Sequence, residues 1–223
     1  MRLVPATLIA LATALPLRAD PLAFGAELKL QLGHNSRPIN YKRLEASFTS
    51  PGDWRYGAQI DLSIGKFESF QSAAPGGALH LYRNLGDAGA VGLFLAAEDR
   101  RTINELFIGA EAKYDFGRFE AEGYVAKRKV IRAAWSGTGY GLDLGVDLDR
   151  RGRVQLLAGH HGSAGSDFSY LGGAYDFQNG IRMELQAGRN DSGETITTIA
   201  ARFKLGDGAT FRRRGFLAGS PAQ

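Results

Sequence analysis

Ionised side chains recur at alternate positions in this sequence, opposite runs of Leu, Ala, Ile and aromatic residues. If each run is a strand, that spacing gathers the charges on one face. The acids in this phase are Glu27, Glu45, Asp61, Glu105, Glu111, Glu120, Glu122, Asp143, Asp147 and Glu184; the bases are Lys29, Arg43, Arg55, Lys113, Arg118, Arg153, Arg182, Arg202 and Lys204. Six of the acids (Glu105, Glu111, Glu120, Glu122, Asp143, Asp147) fall between 104 and 149, whereas Arg182, Arg202 and Lys204 fall near the end. Folded into a ring, the two groups face each other, and a field between them orders water and favours small polar solutes. The competing outcome is that the charges pair with one another and fill a narrow interior.

Groups suited to covalent chemistry are scarcer. His34-Asn35-Ser36 and His161-Gly162-Ser163 each place an imidazole two residues from a hydroxyl, which is the start of a lipid-hydrolase site. Such a site also needs hydrogen-bond contact within the pair and a third group to orient the ring. No third group can be named, so the expectation is no enzyme activity, with His161 and Ser163 the first pair to test. Neighbouring strand residues point to opposite faces, so His160 and His161 do not make a metal site. No phosphate-cradling glycine loop sits between a strand and a helix. No metal or cofactor is expected.

The chain has 223 residues, 30 of them Gly and none Cys, which excludes a disulfide scaffold and a cysteine-ligated metal domain. Bases outnumber acids 27 to 23. Arg2 and Arg18 belong to an opening segment in which uncharged Leu3 to Leu15 is followed by Leu17-Arg18-Ala19. That segment reads as a signal peptide over 1–19, cut after Ala19. The remaining balance is too even for a nucleic-acid partner. Beyond residue 19 no apolar run is long enough for a spanning helix.

Period-two alternation places strands near 24–33, 41–49, 54–65, 77–83, 89–98, 104–116, 118–127, 139–149, 153–161, 167–177, 181–189 and 195–205. Those at 41–49, 77–83 and 167–177 are the weaker ones. Most have the length that a tilted strand needs to cross hydrocarbon. Tight turns at 50–53, 84–87, 117, 150–152 and 178–180 alternate with links expected to be longer, among them Lys66 to Gly76 and Arg128 to Gly137. Lys66 to Gly76, with Phe67 and Phe70, is the candidate for a loop folding inward. Phe24, Phe48, Trp54, Phe116, Phe119, Phe177 and Phe203 fall beside the short-turn rim, as an interfacial girdle would.

The expectation is therefore an all-β fold: a closed antiparallel transmembrane β-barrel of about twelve strands, with ten to fourteen compatible, spanning 20–206 after the signal peptide. Residues 207–223, with Arg212-Arg213-Arg214, are expected to form a short basic periplasmic tail. A water-soluble β-barrel would reverse the faces and put Leu28, Ile60, Leu144 and Val146 in a sealed interior.

Tyr114-Asp-Phe-Gly117, the Gly-Tyr-Gly-Leu-Asp-Leu-Gly-Val run at 139–146 and Gly-Asp-Gly-Ala-Thr-Phe at 206–211 give the chain a style that resembles a small alphaproteobacterial porin. Porins of that group usually have 16 strands and end in an aromatic residue; this chain ends in Gln223. The resemblance implies an outer-membrane channel for passive diffusion of small polar solutes or ions, with outer-membrane lipid as partner and homo-oligomers compatible. The alternatives are a structural barrel with a plugged lumen and, less favoured, a lipid hydrolase.

Overall fold

The computed structural model describes residues 24–36, 39–50, 55–67, 73–100, 103–131, 136–163, 166–177, 179–206 and 208–212. The expected signal peptide lies outside them. Twelve strands follow in chain order: β1 (Gly25–Asn35), β2 (Ile39–Thr49), β3 (Tyr56–Phe67), β4 (Ala74–Asn84), β5 (Gly89–Arg100), β6 (Ile103–Asp115), β7 (Phe119–Ile131), β8 (Ser136–Asp147), β9 (Val154–Ser163), β10 (Ser166–Asp176), β11 (Ile181–Asn190) and β12 (Thr195–Leu205). Each pairs antiparallel with its chain neighbour. β1 pairs with β12 from Ala26↔Leu205 to Asn35↔Ile196, which closes the barrel and leaves no unpaired edge.

The direction of the apolar stripe decides what kind of barrel this is. Leu28, Ile60 and Leu144 are 44%, 46% and 42% exposed, while Asp61 and Asp143 are enclosed at 1% and 3%. Val146 and Asp147 are half-buried. This is the arrangement of a transmembrane barrel, with apolar groups outward to lipid and ionised groups within. A water-soluble barrel has the opposite phase.

The girdle forms at the rim that holds both strand termini. Phe48, Phe116, Phe119, Phe177 and Phe203 are exposed there, joined by Tyr56, Tyr114 and Tyr175. Tyr114 packs on Phe116 with ring centroids 4.6 Å apart, and Tyr175 on Phe177 at 4.7 Å. Trp54 lies outside the described residues. The β6–β7 turn at this rim is tight enough to need Gly117 at φ +90°, where its N–H donates to Asp115 Oδ1 at 2.6 Å.

The opposite rim differs from expectation. β3 runs on to Phe67 and β4 starts at Ala74; β5 ends at Arg100 and β6 begins at Ile103. The links there are no longer than those at the terminal rim. The strands continue past the point where the apolar alternation fades, because backbone pairing holds them beyond the hydrocarbon. Phe67 therefore ends a strand, and Phe70 lies outside the described residues.

Inside, several aromatic rings lie flat on the wall over glycines. A β-carbon on Gly57 would collide with the Tyr82 ring, one on Gly33 with Tyr41, and one on Gly159 with Tyr170. Glycine at these sites lets a large ring line a narrow barrel without bulging the strand.

Two outcomes follow. Arginine in place of Ile108 or Leu171, both outward near strand centres, should cost about 2–4 kcal/mol of folding stability in urea titrations of vesicle-inserted protein. A loss near zero would mean that these faces do not meet lipid. At the β8–β9 turn, Asp149 Oδ1 accepts the N–H of Val154 at 2.9 Å and of Arg153 at 2.7 Å. Those bonds, Val154's first, hold its carboxyl below the usual range. A lowered folded pKa adds stability that is present above the unfolded value of ~3.9 and is lost as pH falls through the folded value. Asp149→Ala should lower the urea midpoint at pH 7, and the gap to wild type should shrink on acidification below about pH 4.

Candidate functional site

The ring order sets β6 opposite β12 and β4 opposite β10, so the interior has two walls of different character. On β11, β12, β1 and β2 bases and acids interleave. Arg202 reaches Glu184 at 3.0 Å and Glu27 at 3.3 Å; Arg182 reaches Glu184 at 3.0 Å and Asp176 at 2.6 Å. Lys29 and Arg43 both meet Glu45, at 3.9 and 3.1 Å. Lys204, one of the expected interior bases, is exposed near the end of β12.

The other wall is acidic. Glu105 pairs with Arg128, Glu120 with Lys113 at 3.5 Å, and Asp147 accepts from Gln155 Nε2 at 3.2 Å. Glu111 and Asp61 hold His80 between them, with Nδ1 2.6 Å from Glu111 Oε1 and Nε2 2.9 Å from Asp61 Oδ2. This arrangement suits a ring that donates from both nitrogens. Farther round, Asp143 Oδ1 accepts from His161 Nε2 at 2.9 Å and from the Tyr170 hydroxyl. Arg55 is not part of either wall. It precedes β3, is exposed, and lies 5.6 Å from the centre of the Tyr56 ring.

The chain itself crosses this interior. Beyond β12, residues 208–212 turn back into the barrel instead of leaving as a periplasmic tail. Gln59 Oε1 accepts the backbone N–H of Thr210 at 2.8 Å and of Phe211 at 3.0 Å, while Gln59 Nε2 donates to the Phe211 carbonyl at 2.7 Å. The Thr210 hydroxyl donates to Tyr82 at 3.0 Å. Phe211, 1% exposed, stacks on His80 at 6.0 Å and meets the Tyr82 ring edge-on at 5.5 Å. Arg212 then reaches across: its N–H donates to Glu122 Oε1 at 2.8 Å, and Nη1 donates to the Tyr170 hydroxyl at 3.2 Å and stands 3.6 Å from Asp143. The segment spans from β3 and β4 to β7, β8 and β10, across the width of the lumen. Among the described residues the inward element is thus the C-terminal segment; of Lys66 to Gly76, the expected inward loop, residues 68–72 lie outside the described residues. Residues 213–223 lie outside the described residues.

Neither His-x-Ser pair assembles a hydrolase site. Residues two apart on a strand share a face but stand nearly two residue rises apart. His161 turns inward to Asp143, away from the lipid-facing rim where the chemistry was expected, and Ser163 lies beyond it in the same phase. His34 Nδ1 is 2.7 Å from Asn40 Oδ1, while Ser36 donates to Asn35 Oδ1 at 3.3 Å. A different pair does meet on the outer face, His160 Nδ1 and Ser169 Oγ at 2.8 Å. The ring beside His160 is that of Tyr140, 5.8 Å away, so among the described residues no carboxylate or amide is seen to orient it. No group of acids and histidines able to hold a metal is present among the described residues.

Sequence reasoning missed His80, although Leu79 and Leu81 flank it in the outward phase and marked it as interior. Arg128 was assigned to a loop because the apolar pattern of β7 ends before it.

No protein-family model matches the chain, and no curated protein matches it in sequence. Solved structures do match in shape. The NanC porin superposes with TM-score 0.64 at 9% identity over 79% of this chain and 98% of its own. The KdgM porin in complex with disordered oligogalacturonate gives 0.62 at 7%, with the same coverage. Outer membrane phospholipase A from Escherichia coli gives 0.54 at 12%, covering 80% of this chain and 92% of its own. The chain therefore shares the closed β-barrel fold of these proteins. This likeness does not single out alphaproteobacterial porins.

Replacing His80 with Ala should destabilise the barrel by about 3–5 kcal/mol in urea titrations, because two enclosed carboxylates lose the group between them. Adding Asp61→Asn should recover part of the loss. An unchanged midpoint for His80→Ala would show that water already screens this cluster.

Proposed function

We propose that the protein is a porin-like outer-membrane channel for passive diffusion of small polar solutes or ions, narrowed in this structure by its own C-terminal segment. The observation that carries the reading is the enclosure of ionised groups of both signs in a closed barrel whose outer surface is apolar. The likeness to two porins supports it. Transport of this kind has no catalytic residue. The walls built by Lys29, Arg182 and Arg202 on one side and by Glu105, Glu111, Glu120, Glu122, Asp143 and Asp147 on the other tune what passes. Outer-membrane lipid is the surrounding partner, and export by the 1–19 segment accounts for the location.

The plugged structural barrel is the second reading, favoured by the sealing of Gln59, His80 and Phe211 at the level of the inserted segment. That segment is held by side-chain contacts and belongs to no strand. Its release would leave the strand pairing of the barrel intact, which supports taking the channel reading first.

Planar-bilayer recording of the refolded protein tests it. Discrete conductance steps are expected, and Arg182→Glu with Arg202→Glu should move the reversal potential toward cation selectivity. A heat-modifiable barrel that stays silent in the wild type and in variants that release the segment would support the structural reading instead.

A further inference from the structure

The inserted segment does more than fill space: the lumen reads it group by group, as a receptor reads a ligand. Three backbone atoms of Thr210 and Phe211 are matched by the two ends of one amide, Gln59. The Phe211 ring is met by His80 and Tyr82, and a β-carbon on Gly57 would push Tyr82 out of its place. The Arg212 guanidinium stands before Tyr170, Asp143 and Glu122. Gln59, Glu122 and Asp143 are themselves almost fully enclosed. When the segment leaves, Asp143 keeps His161 and the Tyr170 hydroxyl but loses the guanidinium beside it, whose place water or another cation then takes.

Resting on the channel reading, we propose that the lumen holds a binding site for short peptides with an aromatic residue followed by arginine, which Phe211-Arg212 occupies in cis. Backbone recognition by Gln59 distinguishes a peptide from a simple amine. The acidic pair distinguishes a guanidinium from an acidic or neutral end. The aromatic slot adds a stacking surface. The tethered segment competes at an effective concentration in the millimolar range, so a free ligand must displace it and gate the channel as it enters.

The experiment uses full-length protein refolded in detergent, with heat-modifiable mobility as the check on folding. Wild type, Arg212→Ala and Phe211→Ala are recorded in planar bilayers with the amidated dipeptide Phe-Arg, and with Phe-Glu as control. Both variants should conduct more than wild type. Phe-Arg should interrupt their current at concentrations about tenfold or more below those needed in wild type, where the tether competes. Phe-Glu should leave the current unchanged. In Phe211→Ala, adding Glu122→Gln should weaken the Phe-Arg block about tenfold, through loss of one charge-assisted contact. Equal block by Phe-Glu, or block indifferent to Glu122→Gln, overturns the site.

Fluorescence anisotropy of labelled Phe-Arg on the same detergent-refolded proteins separates this from failure of the channel reading. If no variant conducts but Phe211→Ala binds the peptide and loses it on Glu122→Gln, the site stands and the channel falls. Conductance without peptide binding removes the site and leaves the channel.

Discussion

A sheet in lipid must satisfy every backbone N–H and C=O within itself, since hydrocarbon offers no partner. Closure of β1 on β12 meets that demand. Once the ring is closed, each strand has one face in hydrocarbon and one in the lumen, and the period of two assigns every residue to one or the other. Leu28, Ile60 and Leu144 on the outside and Asp61, Glu122 and Asp143 on the inside are consequences of that single constraint. A slip of one residue in any strand would exchange the two sets.

Enclosing charge creates the next problem. On the wall made by β11, β12, β1 and β2, acids and bases interleave closely enough to neutralise one another. On the opposite wall acids meet His80, His161 and Arg128 from the strands and, from outside the sheet, Arg212. The inserted segment is thus part of the electrostatics of the lumen as well as an obstruction. A narrow interior lined with carboxylates is more stable with a guanidinium in it than without. The same groups that hold the segment define what can take its place.

Most of the fold was legible because the constraint is local. Leu79-His80-Leu81 shows the phase of β4 even though its glycines weaken the pattern, and the three weaker segments all form strands. Strand ends away from the termini were set too short, because alternation marks the hydrocarbon and backbone pairing does not stop with it. β7 continues through Arg128 to Ile131 on that account. The lumen charges were legible by phase, but their partners were not: which acid meets which base depends on register and on contacts between non-neighbouring strands. Arg55 had the right phase and lies outside the strand that would have carried it inward. The segment at 208–212 had no periodic signal at all, and its Phe and Arg find their places through tertiary contacts with Gln59, His80, Glu122 and Asp143.

The orientation of the two faces is the claim on which the lumen, the closing segment and the peptide site all stand. The chain has no cysteine, so single cysteines can be introduced and spin-labelled without background. Labels at positions 28, 60, 144 and 171 in vesicle-reconstituted protein should be relaxed strongly by oxygen, which partitions into hydrocarbon, and weakly by a water-soluble nickel chelate. Labels at 27, 61 and 143 should lack that oxygen preference. The reverse assignment would contradict the account, placing the charged face outermost and the apolar one within.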